Sequence, residues 1–215
     1  TSVRCGASVM RRVYSALGII IPVGSPRTAV TSSLPAAGQP ASGQSRANSS
    51  NFQTLFAFKN GATGVIPAGG VVSLNGALYG ATNFGGTPNK DCSPGHGCGT
   101  VYVISQAGKE SVLYKFKSGK DGARPYGGLT EIDGTLYGTT QQGGKKNKGT
   151  VFSITTSGTE SVLHSFSGKD GFDPRVAMTD VNGVLYGTTY YGGSAGVGTL
   201  FTITTSGTEK VLHSF

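Results

Sequence analysis

The sequence contains no tryptophan, only two methionines and only 10 acidic residues among 215. The acids stand mostly in predicted turns, as at Asp133 and Glu209, so no pair of carboxylates argues for glycosidase chemistry. No serine lies in a GxSxG elbow, and the glycine clusters lead into predicted strands rather than helices, which excludes a dinucleotide or phosphate loop. These absences predict a protein that is not an enzyme and needs no cofactor.

Negative charge is missing altogether from the first 50 residues, which hold five arginines and no acid. The remaining residues carry 13 basic and 10 acidic side chains, so they contribute only +3 of the net charge of +8. Because the basic surplus belongs largely to this tail, overall charge does not indicate specific nucleic-acid binding.

Long apolar runs are also lacking. The stretch from Val13 to Val23 is too short to span a bilayer, so no transmembrane segment is expected. With Met10, Arg11 and Arg12 before it, it resembles a secretory signal peptide over residues 10–24. The alternative is an apolar patch without a role. An Ala/Ser/Pro/Gly-rich stretch follows, so residues 1–50 are predicted to be a disordered tail and linker.

Glycine, by contrast, is abundant, and 31 of the 36 glycines fall after residue 50. They recur at fixed offsets within a repeat. Residues 149–166 and 198–215 are identical at fifteen of eighteen positions, and "LYG" occurs at 78–80, 136–138 and 185–187. Residues 51–215 are therefore predicted to form one repeat domain, with units of about 59–116, 117–166 and 167–215, and "FQTLFAF" before them matches the end of a unit.

Each unit divides into four short strands, which in the second unit are "GLTEI", "TLYGTT", "GTVFSI" and "ESVLHSF". Asn75-Gly76, Asp133-Gly134 and Asn182-Gly183 join the first two strands, and such dipeptides favour type I′ hairpin turns. A four-stranded unit that repeats about every 50 residues is typical of a β-propeller blade. The predicted fold is all-β and propeller-type, with about three blades and one extra N-terminal strand.

The repeated pattern, with a proline eleven residues before each "LYG" leucine, then "GTVF", "SGTE" and a closing "SF", resembles the GloVer tandem repeat. That family occurs in bacterial "choice-of-anchor" proteins, and the resemblance covers residues 52–215. It implies a secreted or surface-attached bacterial protein and supplies no catalytic residues. The unit is also similar to a kelch repeat in its phase but lacks the usual tryptophan, which leaves kelch as an architectural analogy.

Three units are fewer than the four to eight blades that typically close a propeller. The chain is expected to be a fragment of a longer array with an incomplete ring. The alternatives are several chains that self-assemble to complete a ring, or an open arc of three blades.

The predicted binding surface is the loop face, where the connections between second and third strands and between successive units lie together. The copies differ most there, while the opposite turns are nearly invariant. Aromatic side chains at these positions suit stacking on sugar rings, and lysines suit a polyanion, with Lys120 and Arg124 adjoining them. The alternative is drift in loops that contact nothing. The candidate residues are Asn83, Phe84, Gln141, Gln142, Lys145, Lys146, Lys148, Tyr190 and Tyr191.

The loop of the first unit contains Cys92, His96 and Cys98. In an exported protein a Cys92–Cys98 disulfide is the expected arrangement, and three zinc ligands are the alternative, which lacks a fourth partner. Asp121 and Asp170 recur in "KDG", where one carboxylate per loop falls far short of the six to eight oxygens that calcium takes. They are predicted to form turns, and no metal site is expected. His164 and His213 recur at one repeat position and are predicted to be structural.

The sequence therefore predicts a non-enzymatic, secreted or cell-surface repeat module that binds carbohydrate or a surface protein through its loop face. A structural spacer in a larger bacterial surface protein is the first alternative. A fragment of a propeller enzyme, with its site in blades outside this sequence, is the second.

Overall fold

The computed structural model describes residues 20–22, 52–59, 61–93 and 96–215. The predicted signal peptide and linker lie outside these residues, apart from Ile20–Pro22. Within the described part of the chain, no helix has the length and apolar character required to cross a membrane.

The described chain is all-β, as predicted, and one 3₁₀ turn at Gly119–Asp121 is its only helical element. Strands β1 and β2 form a separate antiparallel pair. The strands in chain order are β1 (Ile20–Pro22), β2 (Phe52–Thr54), β3 (Val65–Leu74), β4 (Ala77–Phe84), β5 (Pro88–Ser93), β6 (His96–Gly97), β7 (Thr100–Ile104), β8 (Glu110–Lys115), β9 (Ala123–Pro125), β10 (Thr130–Ile132), β11 (Thr135–Gln142), β12 (Thr150–Thr155), β13 (Glu160–Ser165), β14 (Thr179–Val181), β15 (Val184–Thr189), β16 (Thr199–Thr204) and β17 (Glu209–Ser214).

Three antiparallel sheets follow the three sequence repeats. The first sheet has the order β3-β4-β7-β8, the second β10-β11-β12-β13 and the third β14-β15-β16-β17. The first hairpin of each sheet turns at the Asn-Gly or Asp-Gly pair, and both residues have positive φ, for example 49° at Asp133 and 79° at Gly134. The predicted type I′ geometry therefore holds, and each sheet is a meander of sequence neighbours.

Two features add to the expected four strands per unit. In the second sheet the short strand β9 pairs with the end of β11, while in the first sheet β3 runs continuously past the equivalent position with a register shift between Ala68 and Val72. In the cysteine loop, β5 and β6 pair as a small separate ribbon. Residues just before β10 thus join the sheet edge beside the loop face.

Neighbouring sheets pack face to face through two apolar clusters, which we call the first and second seams. In the first seam the closing Phe116 of one unit packs edge-on against Phe152 of the next, with ring centroids 5.1 Å apart. In the second seam Phe166 packs against Phe201 at 5.2 Å. All four phenylalanines are at most 1% exposed. Each sheet therefore depends on its neighbour to bury its apolar face, which is the physical reason for the repeat.

Candidate functional site: a cleft on the loop face

Paired threonines fix the backbone at the loop face in all three units. Thr140 Oγ1 lies 2.8 Å from Thr150 Oγ1 and also bonds the carbonyl of Gln142 at 2.9 Å. Thr189 makes the same bonds to Thr199 and to the carbonyl of Tyr191. The first unit repeats them with Thr82, Thr100 and Phe84. Invariant hydroxyls thus hold in place the residues that vary between copies.

The variable residues of the first and second sheets meet across the first seam. The Asn83 amide donates to Gln141 Oε1 at 3.4 Å. The guanidinium of Arg124 lies 5.1 Å from the centre of the Phe84 ring and donates to the carbonyl of Cys92. Arg124, which the sequence placed beside the candidate surface, therefore links the cysteine loop to it.

An aromatic group stands at the same level on the third sheet. Tyr191 stacks on Phe172 with centroids 5.1 Å apart and planes 24° from parallel, and Tyr190 packs edge-on against Tyr191 at 4.6 Å. Tyr190 and Tyr191 are 55% and 41% exposed. Arg175 lies 4.3 Å from the Tyr190 ring centre and Lys148 lies 4.0 Å from that of Phe172. Cations and exposed rings thus form one surface.

These groups surround a cleft of about 240 Å³ between the loops of the second and third sheets. Three of its residues, Gln141, Gln142 and Lys148, are sequence candidates, and Tyr190 and Tyr191 adjoin it through Arg175 and Phe172. The lining carries three cations and one carboxylate. The full lining is Arg124, Gln141, Gln142, Asn147, Lys148, Phe172, Asp173 and Arg175.

The other two candidate lysines lie elsewhere. Lys145 joins Lys120 at a separate cavity of about 400 Å³ over the outer strand β13, beside Leu163 and His164. Lys146 is exposed and lines neither cavity. The predicted basic group is therefore divided between two places, and Lys148 is its member in the cleft.

Sequence reasoning did not identify Asn147, Phe172, Asp173 and Arg175 as site residues. Arg124 and Asp173 each stand directly before the proline that recurs eleven residues ahead of the "LYG" leucine in each unit. Both residues have φ of 58°. That position holds isoleucine, arginine and aspartate in the three copies. Variation between copies, the criterion that identified the candidates after the second strand of each unit, would therefore have identified this position as well. Ile66, at the same position of the first unit, also has φ of 58°, so this left-handed backbone belongs to the repeat.

Asp173 and Arg175 form a two-pronged ion pair at the edge of the cleft. Asp173 Oδ2 accepts from Arg175 Nε at 3.1 Å and from Nη2 at 2.6 Å. This bonding raises the pKa of Arg175. The other oxygen, Asp173 Oδ1, is buried and has no hydrogen-bond partner among the described residues. The carboxylate therefore orients the guanidinium at the edge of the cleft.

The cysteine loop is closed by a disulfide between Cys92 and Cys98, whose Cα atoms are 5.1 Å apart. Both sulfurs are used in this bond, so they offer no thiolates to zinc. His96 is exposed and its ring lies 6.1 Å from that of Phe84. The loop thus supports the first-sheet end of the candidate surface.

Asp121 and Asp170 have a larger role than turn formation. Asp121 accepts from Tyr114 Oη and from the Lys117 amide, and its neighbour Glu160 has a pKa raised to about 7 by burial and by the charge of Asp121. In the second seam, Asp170 bonds His164 Nε2 at 2.8 Å.

His164, Asp170 and Glu209 each place one potential metal-ligating atom within 4.8 Å of the other two. In the first seam Tyr114, Asp121 and Glu160 occupy the equivalent positions, so tyrosine stands there in place of the histidine.

The sequence model of a family described as the Gloeobacter/Verrucomicrobia repeat matches residues 40–215. A search of curated proteins finds nothing that matches the chain.

Proposed function

The chain belongs to the Gloeobacter/Verrucomicrobia repeat family, as its GloVer-like pattern predicted. We propose that it is a non-enzymatic module that binds an acidic carbohydrate in the loop-face cleft. The observation that carries the proposal is the combination of exposed rings and cationic side chains around one cavity. Tyr190 and Tyr191 offer flat apolar faces, while Arg124, Lys148 and Arg175 offer charge.

Sugar rings stack on exposed aromatic side chains through their C–H faces, and carboxylates or sulfates of acidic sugars accept hydrogen bonds from arginine. The glutamine amides of Gln141 and Gln142 can bond sugar hydroxyls, because each carries both donors and an acceptor. A glycan built of uronic acids presents all three kinds of group in one repeating unit. Rims of polar groups around apolar platforms suit such a ligand better than a purely apolar one.

The lining of the cleft favours binding over hydrolysis. Asp173 is the one acid among its eight residues, and it is paired with Arg175. A glycosidase uses two carboxyl groups on either side of the bond that breaks. The module is therefore proposed to hold a glycan without cleaving it.

We further propose that the three sheets are blades arranged around a common axis, as in a β-propeller. The support is that each sheet packs on the next through equivalent residues, as in the Phe116–Phe152 and Phe166–Phe201 pairs. We also propose a secreted or surface location on a bacterium, which the resemblance to anchored repeat proteins supports. A ligand on neighbouring cell-wall or matrix material fits that location.

The test is titration calorimetry of the chain with polygalacturonate and alginate, and with neutral starch for comparison. The acidic polymers should bind, and binding should weaken as salt rises because screening reduces the attraction. The double variant Lys148→Ala with Arg175→Ala should lose about tenfold or more in affinity, since two charged hydrogen bonds are removed.

The matched control is Lys145→Ala with Lys146→Ala, which removes the same charge outside the cleft and should leave affinity within about twofold. Equal losses in both variants would show attraction by net charge alone. Binding to neither acidic polymer would contradict the proposal. The two interpretations left would then be a module that binds a surface protein and a structural spacer.

A further inference from the structure

The second seam contains a group of three side chains that the proposed glycan site does not use, and we call it the histidine cluster. His164 lies near the end of β13, Asp170 lies in the connection between β13 and β14, and Glu209 begins β17. Each of the three places one potential metal-ligating atom within 4.8 Å of the other two. The second unit thus supplies an imidazole and the third unit supplies two carboxylates.

The carboxylate of Asp170 is fixed with one oxygen toward the histidine. Its Oδ1 accepts hydrogen bonds from the amide and the hydroxyl of Ser167, both at 2.8 Å. Its Oδ2 lies 2.8 Å from His164 Nε2. In protein metal sites, ligating carboxylates are likewise held by hydrogen bonds from groups behind them. The histidine cluster therefore combines suitable residue types with a donor atom that is already oriented.

The cluster is largely withdrawn from water but can still be reached from it. The side chains of His164 and Asp170 are 21% and 17% exposed. A metal ion would replace the proton that His164 Nε2 and Asp170 Oδ2 share, and this proton would pass to the solvent. Ligands about 2.0–2.2 Å from a tetrahedral zinc ion stand about 3.3 Å apart, so the two side chains need to separate by only about 0.5 Å.

The first seam offers an internal comparison, because it has the carboxylates without the imidazole. Tyr114, Asp121 and Glu160 stand at the equivalent positions there. Burial and the hydrogen bond to Asp121 raise the pKa of the Tyr114 hydroxyl, which therefore keeps its proton and is a poor metal ligand. The complete set of three ligands is thus a property of the second seam.

The mixture of one imidazole and two carboxylates determines the class of ion. Imidazole is a common ligand of zinc and of other first-row transition metals, whereas magnesium and calcium take oxygen ligands, and calcium takes six to eight of them. Two carboxylates balance the charge of one divalent ion. Three protein ligands and a water molecule complete the four positions around zinc.

We propose that His164, Asp170 and Glu209 bind one divalent transition-metal ion of the zinc type across the second seam. The ion joins the second sheet to the third. Because it binds the folded arrangement and not the unfolded chain, it stabilises the protein by mass action. The site is separate from the glycan cleft, since none of its three ligands lines that cleft.

The experiment is titration calorimetry of the complete, chelator-treated chain with zinc chloride, together with thermal unfolding in the presence of the same salt. One zinc ion should bind per chain. The midpoint of unfolding should rise by about 5 °C at a free zinc concentration about a hundredfold above the dissociation constant. Calcium and magnesium chloride should neither bind at the same concentrations nor raise the midpoint.

Two variants each remove one ligand and keep a hydrogen-bonding side chain in its place. His164→Gln and Glu209→Gln should each weaken zinc binding by at least about tenfold and abolish most of the rise in the unfolding midpoint. His213→Gln is the matched control, because His213 is exposed and occupies the repeat position of His164, and it should bind zinc like the native chain. Circular dichroism verifies that each variant is folded.

A gain of binding completes the test. Tyr114→His supplies the missing imidazole beside Asp121 and Glu160, and the variant should bind two zinc ions per chain. The proposal is overturned if the native chain does not bind zinc, or if either glutamine variant binds it as tightly as the native chain does. A Tyr114→His chain that still binds only one ion would also overturn it, because the three ligands would then be insufficient.

Discussion

Glu160 shows how a single residue in a seam links stability to pH. Its carboxyl group is half-buried beside Asp121 and Tyr114, and burial raises its pKa to about 7. Because the folded chain keeps the proton while the unfolded chain releases it at a lower pH, the free energy of unfolding falls as pH rises from about 4.5 to about 7 and is level above that.

Glu160→Gln should flatten this pH dependence by about 1–2 kcal/mol after allowance for solvent screening. Some slope should remain, since burial also raises the pKa of Glu110 and Glu209. The measurement is urea unfolding at several pH values between 4 and 8. Glu131→Gln, in strand β10 of the same unit, is the control and should keep the native slope. An unchanged slope in Glu160→Gln would refute the assignment.

Among the secondary elements, the ribbon of β5 and β6 in the first unit is closed by the Cys92–Cys98 disulfide. The ribbon presents the Cys92 carbonyl to Arg124, one of the three cations of the cleft. The element thus contributes both to stability and to the position of a proposed ligand-binding residue.

Replacing both cysteines by serine should lower the free energy of unfolding by about 2 kcal/mol, because a short loop is released in the unfolded chain. The measurement is equilibrium denaturation, and the native chain with reductant should show the same loss. Affinity for polygalacturonate should fall with it, since Arg124 loses a fixed partner. If stability is unaltered by either treatment, the ribbon is held by other contacts.

At the scale of the whole molecule, each of the three described sheets packs on its neighbour in sequence through a seam. A repeat array of this kind is stabilised by interfaces between adjacent units, so a defect in one seam should loosen the sheet beyond it first. Phe166 and Phe215 occupy the same repeat position, one fully buried in the second seam and the other 56% exposed.

Phe166→Ala should destabilise the second seam by about 3 kcal/mol. Hydrogen exchange of β15 and β16 in the third sheet should then accelerate by about a hundredfold, while β7 in the first sheet changes much less. Phe215→Ala, measured at low protein concentration, is the control and should leave exchange in all three sheets near native rates. Uniform acceleration across the sheets would instead show one cooperative unit.

The sequence by itself determined the repeat, the four-stranded meander and the hairpin turns, because each depends on residues close together in the chain. Asn182 and Gly183, for example, specify their turn through local backbone sterics. The identical letters of the second and third units likewise predicted equivalent packing, since the same side chains meet the same neighbours.

Only the tertiary structure decided how the loops combine into a site. The cleft brings together Gln141 from one unit and Asp173 and Arg175 from the next. Lys148 lines this cleft, whereas Lys145, three residues away, lines the other cavity. Such groupings depend on how two sheets stack and where each loop then points. These properties depend on residues far apart in the chain, so neither the alternation of side chains along a strand nor the repeat of about 50 residues predicts them.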